Sequence, residues 1–194
     1  MKNLIFINGT MAVGKSATAK HLNSILENSV WLDGDWCWMS DPFTVTEETK
    51  QIVTDNICHL LNNFIRCSRY ENIIFSWVMD YEAIYESIVT KLDTKNCTIH
   101  RYTISCSEET LKNRVENDTV QDGRNFEKSR ERLPRFDKMT TIKIYNDNMT
   151  PLQTAEYIAN LIKIHNYKAG ICRPLFYFTF SKSMLVVSDV NITT

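Results

Sequence analysis

No two cysteines of this chain stand in C-x-x-C spacing, so a structural zinc site is not expected. Long apolar runs are missing too. No window reaches the roughly 20 apolar residues of a membrane-crossing helix. The nearest approach, Leu175 to Val190, is broken by Lys182, Ser181, Ser183 and Ser188. Excess charge of either sign is absent, since 22 basic and 23 acidic side chains leave a formal net charge of −1. That balance argues against a globally basic nucleic-acid binder. No low-complexity linker and no internal repeat divides the chain. Met1 to Asn8 holds one lysine and a short apolar run that leads straight into a glycine loop, unlike a signal peptide, so a cytoplasmic location with reduced thiols is expected.

What is present suits one folded domain: 194 residues, 43% hydrophobic and 23% charged. Strand and helix patterns alternate along it. Leu4-Ile5-Phe6-Ile7, Val30-Trp31-Leu32, Ile73-Ile74-Phe75, Thr98 to Ser105 and Ile142 to Tyr145 read as five strands. Helical patterns fall at residues 15–27, after a capping box at Thr44-x-x-Glu47, at 81–92, from Ser107 to about Glu116, and from Pro151 behind a Thr150/Gln153 capping box to Gly170. The expected fold is therefore α/β: a three-layer, doubly wound, five-stranded parallel sheet over residues 1–168, with residues 169–194 as a C-terminal tail or hairpin.

Gly9-Thr10-Met11-Ala12-Val13-Gly14-Lys15-Ser16 matches G-x-x-x-x-G-K-[ST] and stands between the first strand and the first helix, the context the motif requires. Its glycines let successive backbone N–H groups face phosphate oxygens at a helix N-terminus. Lys15 is then expected to span the β- and γ-phosphates, and the Ser16 hydroxyl to serve Mg²⁺. The nucleotide contacts expected are Gly9 through Ser16, with Thr18 in the following turn.

Val30-Trp31-Leu32-Asp33-Gly34-Asp35 puts two carboxylates at the C-terminal end of the second strand, the edge where parallel sheets bind ligands. One carboxylate there suits a metal hydration shell, and one two residues on suits the proton of an attacking hydroxyl. The third strand ends in Ser76-Trp77 and lacks the metal-binding Asp of switch ATPases and GTPases, and no N-K-x-D occurs. Five of nine arginines lie between 114 and 135, and residues 124–138 hold six basic against three acidic side chains. An arginine-rich segment in this place can stabilise a transferring phosphoryl group, or can pair with Glu127, Glu131 and Asp137 as an ordinary solvated helix.

The loop, the Asp33-Gly34-Asp35 element and the final strand–turn–helix together resemble the P-loop small-molecule kinases related to nucleoside-monophosphate, shikimate, gluconate and adenylylsulfate kinases and chloramphenicol phosphotransferase. The resemblance covers residues 1 to about 168. It implies an ATP- and Mg²⁺-dependent phosphotransferase with Asp33 serving the metal and Asp35 the acceptor. It also implies a lid at about 117–138 in which Arg114 and Arg124 match the lid arginines best, Arg114 also touching nucleotide, and Arg130 matches less well. Asn146 to Asn148 stand where adenine is often contacted.

Residues 33–80 carry three basic and eight acidic side chains, which favours a neutral or cationic hydroxyl compound as acceptor. A phosphate-bearing acceptor, held by Arg66 and Arg69, stays open. So does a nucleotide-dependent regulatory or nucleic-acid-processing role, although nucleic acid lacks a stacking cluster beyond Phe126 and Phe136. A monomer or homodimer is expected, with the tail as the candidate dimer contact.

Overall fold

The computed structural model describes residues 1–117 and 125–168. Five parallel strands, β1 (Lys2–Asn8), β2 (Ser29–Asp33), β3 (Asn72–Ser76), β4 (Cys97–Ser105) and β5 (Ile142–Tyr145), form one sheet in the order β2-β3-β1-β4-β5. The helices are α1 (Lys15–Ile25), α2 (Glu47–Arg66), α3 (Glu82–Val89), α4 (Glu108–Glu116), α5 (Phe126–Asp137) and α6 (Pro151–Lys168), with a 3-10 turn over Gly34–Trp38. The expected doubly wound sheet is thus formed. The tail from residue 169, the helix stop at Gly170 and Arg124 in the lid lie outside the described residues. Among the described residues no helix is long and apolar enough to cross a membrane.

The two-residue period of a strand divides β1 between two cores. Ile5 and Ile7 point to one that includes Leu22 of α1 and Ala155, Ile158 and Ile162 of α6. Leu4 and Phe6 point to the other, with Val53, Ile57 and Leu61 of α2 and Ile88 of α3. Fully burying each such side chain contributes about 1.5–3 kcal/mol. Placing β1 in the centre, covered on both faces, therefore fixes where its C-terminal end emerges.

Local signals place the helices with one shift. The α2 capping box is formed by Thr46 and Thr49, not by Thr44 and Glu47: the Thr46 Oγ1 accepts from Thr49 N at 3.1 Å, and Thr49 Oγ1 accepts from Thr46 N at 2.8 Å. Thr49, a hydroxyl at the third helical position, fills the place usually given to Glu or Gln. The Thr150/Gln153 box of α6 forms as the sequence indicates, with bonds of 2.9 and 3.2 Å.

The N-terminal edge of the sheet is closed by a polar network. Asn3 donates to Asn72 Oδ1 at 2.8 Å, and its own Oδ1 accepts from Asn166 of α6 at 3.1 Å and from His100 Nε2 at 3.0 Å. Because Asn3 offers an acceptor, the His100 proton sits on Nε2, and Nδ1 accepts from His165 Nδ1, 3.2 Å away. Burial, with a further contribution from His165, lowers the His100 pKa from 6.5 to about 4. A histidine depressed in the folded state is protonated first in the unfolded chain, so its stability term is complete above about pH 6.5 and is lost as pH falls toward 4. The loss by pH 4 is roughly 3 kcal/mol. Urea titrations at pH 7 and pH 5 should show this fall, and His100→Gln should flatten it.

Candidate active site

At the C-terminal end of β1 the chain turns through Gly9, at φ 143°, and enters α1 through Gly14, at φ 95°. A Cβ on Gly9 would run into the Ile104 carbonyl of β4, so only glycine lets the loop leave the sheet here. Ala12 also takes a left-handed conformation, φ 65°. Gly14 caps α1 without a side-chain bond, and the first turn of α1 holds no acidic residue. The first amides of α1 are thus left to an external anion. The Lys15 Nζ lies over the loop and donates to the Thr10 carbonyl at 2.9 Å.

The loop is braced from below. The Val13 carbonyl accepts from Arg114 Nη1 at 3.1 Å and from Asn146 Nδ2 at 3.0 Å. Arg114 also binds Asn146 Oδ1 and its carbonyl, each at 2.9 Å. One guanidinium thereby joins α4, the loop and the β5–α6 connection. Thr10 Oγ1 donates to the Ser129 carbonyl of α5 at 2.8 Å, which adds a contact from the lid side. Thr18 is fully buried, with no hydrogen-bond partner for its hydroxyl among the described residues, so it is not presented at the open face of the loop.

Asp33, at the end of β2, is 5% exposed and satisfied on both oxygens. Its Oδ2 accepts from Ser16 Oγ at 2.6 Å and from Ser76 Oγ at 3.1 Å, and its Oδ1 from Asp35 N at 3.1 Å. Ser76 stands directly opposite Asp33 in the β2–β3 register. It occupies the strand end where a switch ATPase has its carboxylate, and here it orients the carboxylate of the neighbouring strand. Trp31 Nε1 in turn donates to Ser76 Oγ at 2.9 Å. Ser16 Oγ and Asp33 are hard oxygen donors beside the phosphate loop, a set that fits Mg²⁺, which keeps several waters and takes its remaining ligands from phosphate.

Asp35 is exposed, and its Oδ1 accepts from Trp77 Nε1 at 3.0 Å. The Trp77 ring lies against Gly34, where any Cβ would collide with it. The two carboxylates therefore depend on separate indoles, Asp33 through Ser76 on Trp31, and Asp35 on Trp77 directly. Sequence reasoning marks Ser76 and Trp77 by the missing metal-binding Asp at that strand end, and Trp77, with Trp36, Trp38 and Phe43, as flat apolar surface on the acceptor side. Their use as hydrogen-bond donors to β2 needs the strand order, which no local pattern carries.

The basic segment divides in the structure. Arg130 pairs with Glu127 at 2.7 Å, the solvated-helix alternative. Arg135 instead reaches buried Asp80 at 2.7 Å, and Arg132 approaches the same carboxylate at 3.7 Å. Asp80 therefore ties α5 to the β3–α3 connection, a role its sequence position did not announce. Asn8 holds that connection as well, through reciprocal bonds of 2.7 and 2.8 Å to the Met79 backbone. Arg66 and Arg69 lie at the opposite edge of the sheet. They flank Cys67, whose carbonyl accepts from Lys2 at the start of β1, so a phosphate clamp by these two is not formed at this site. Asn146 is buried as a loop brace, and Asp147 accepts from the Ser107 amide that opens α4, at 2.8 Å.

A central β1 ending in a G-x-x-x-x-G-K-S loop, a β2 carboxylate bonded to its serine and a basic helix above it define the P-loop kinase fold. Residues 5–135 match the family model described as AAA domain, and the chain belongs to that family. No curated protein matches the sequence. Among solved structures, the tunicamycin resistance protein of Deinococcus radiodurans is similar with a TM-score of 0.64 and 16% identity, over 84% of this chain and 96% of that one. A gluconokinase from Sinorhizobium meliloti gives 0.59 and 15%, over 86% and 97%. A shikimate kinase from Aquifex aeolicus gives 0.55 and 17%, over 86% and 99%. These similarities concern the fold.

Two substitutions check the site. Gly34→Ala should push Trp77 off Asp35 and cost about 1–3 kcal/mol in a denaturant titration. Arg114→Ala leaves carbonyls of Val13 and Asn146 short of a donor, and it should weaken nucleotide binding about tenfold in a fluorescent-ATP titration.

Proposed function

We propose that this protein is an ATP- and Mg²⁺-dependent kinase that transfers a γ-phosphoryl group to a hydroxyl of a neutral or cationic small molecule. The observation that carries the proposal is the 2.6 Å bond from Ser16 to Asp33 with Asp35 two residues further on. It joins the phosphate loop to a pair of carboxylates in unlike surroundings, one buried and bonded on both oxygens, the other exposed and bonded through Oδ1 to Trp77. In this reading the loop amides and Lys15 bind the phosphates, Ser16 and Asp33 hold the metal, and Mg²⁺ when bound neutralises phosphate charge. Asp35 accepts the acceptor's hydroxyl proton, the acceptor oxygen forms its bond to the γ-phosphorus, and the bond from that phosphorus to the β–γ bridging oxygen breaks, releasing ADP. Arg114 reaches this centre through the loop that it braces, and Arg124 is the proposed second lid arginine. Residues 1–168 form the proposed kinase domain and 169–194 its appendage.

The preference for a neutral or cationic acceptor rests on charge placement. Arg132 and Arg135 are engaged by Asp80, and Arg66 and Arg69 stand at the far edge. An anionic acceptor approaching Arg132 or Arg135 would have to displace their ion pair with Asp80.

Asp35→Asn should bind ATP with unchanged affinity and lower kcat by 10²–10³-fold, since positioned proton transfer contributes about 10²–10⁴. Unchanged turnover would remove Asp35 as the base. Asp33→Asn should raise the Mg²⁺ concentration needed for half-maximal activity, as read from a metal titration. A panel of sugars, nucleosides, aminoglycosides, mononucleotides and shikimate with labelled ATP tests the acceptor class. Saturable phosphorylation of a mononucleotide or shikimate would reject the charge argument.

A further inference from the structure

The connection between β2 and α2 carries large side chains that the cores leave exposed. Met39 is 85% exposed, Phe43 67% and Val45 52%, all within ten residues of Asp35. The aromatic members are ordered relative to the candidate base. Trp77 is bonded to Asp35 by its indole N–H, the Trp38 ring lies 6.5 Å from that of Trp77, and the Phe43 ring lies 5.6 Å from Trp38. An aromatic strip thus begins at the Asp35 carboxylate and runs outward to the exposed Phe43.

The polar edges of this strip are already engaged. Trp77 Nε1 serves Asp35, and Trp38 Nε1 lies 3.4 Å from the Thr44 carbonyl. What remains to offer is ring surface. No lysine or arginine occurs between residues 33 and 49, whereas Asp35, Asp41, Glu47 and Glu48 do, and although Glu47 pairs with Lys50 at 2.7 Å, the stretch that carries the rings is acidic. Such a surface takes flat neutral groups by offset or edge-on ring contacts, and flat cationic groups also by attraction to the ring face. It has nothing to offer an anion. Its contact with Asp35 ties it to the phosphoryl acceptor rather than to an unrelated partner.

We infer that the acceptor is a hydroxyl compound with a flat apolar group, of single-ring or nucleobase size, close to the reactive hydroxyl, and that this group rests on Trp38 and Phe43. The inference rests on the kinase reading for the role of the hydroxyl, while the ring contact is testable by binding alone. Ring-bearing compounds should bind more tightly than their ring-free counterparts, because the ring removes apolar surface from water while the hydroxyl contact stays the same.

The test is calorimetric titration of the whole protein, with a non-hydrolysable ATP analogue and Mg²⁺ present, against paired probes: adenosine with ribose, and 4-nitrophenyl glucoside with methyl glucoside. In at least one pair the ring-bearing member is expected to bind tenfold or more tightly. Phe43→Ala, a change at an exposed position, should remove about tenfold of that affinity, and Trp38→Phe should restore more of it than Trp38→Ala. Circular dichroism melts verify folding of each variant. Equal affinity within both pairs, absence of binding by every probe, or unaltered affinity in Phe43→Ala and Trp38→Ala together would overturn the inference. Labelled ATP separates the two readings. Ring-dependent binding without transfer to any hydroxyl keeps the aromatic contact and removes the kinase activity, whereas transfer only to ring-free hydroxyls keeps the activity and removes the aromatic contact.

Discussion

The site depends on how one carboxylate is held. Asp33 is buried at the end of an edge strand, and a buried carboxylate without partners would be protonated or displaced. Ser16 from the phosphate loop, Ser76 from the adjacent strand and the amide of Asp35 supply three donors. Each donor belongs to a different piece of the machinery: the nucleotide loop, the core of the sheet and the turn that carries the second carboxylate. Fixing Asp33 therefore fixes the distance between the phosphate loop and the turn that carries Asp35.

The phosphate loop is rigid for a related reason. A loop with left-handed conformations at Gly14 and Ala12 stores conformational cost unless its surroundings determine it. Here two donors meet at the Val13 carbonyl, and the donor with the longer reach, Arg114, also binds both oxygens of Asn146. The fold thus uses an arginine from the basic segment to brace the phosphate loop from α4.

Much of this was legible in the residues. The buried run of β1, the glycine loop behind it and the Thr150-Pro151 helix start are local patterns, and local patterns survive folding when the core agrees with them. The Asp33-Gly34-Asp35 element was legible as chemistry because it falls at a strand end. Its supports were not. Ser76, Trp77, Asn146 and Asp80 work across strand neighbours or across the gap between helices, and nothing in their own sequence neighbourhoods marks them for these bonds. The same limit explains the arginines. Spacing placed Arg130, Arg132 and Arg135 on one helix, yet only the approach of the β3–α3 connection decides that two of them turn to Asp80.

The position of the aromatic segment separates two demands that usually conflict. Both cores are built from the strands and from α1, α2, α3, α4 and α6, while Met39, Phe43 and Val45 hardly enter them. Cys37 and Trp38 pack against the second core, whereas changes at Met39, Phe43 or Val45 would leave the burial that keeps the sheet folded almost untouched. On the proposed kinase reading, the exposed part of one short connection is free to vary while the phosphate loop and the two cores stay constant behind it.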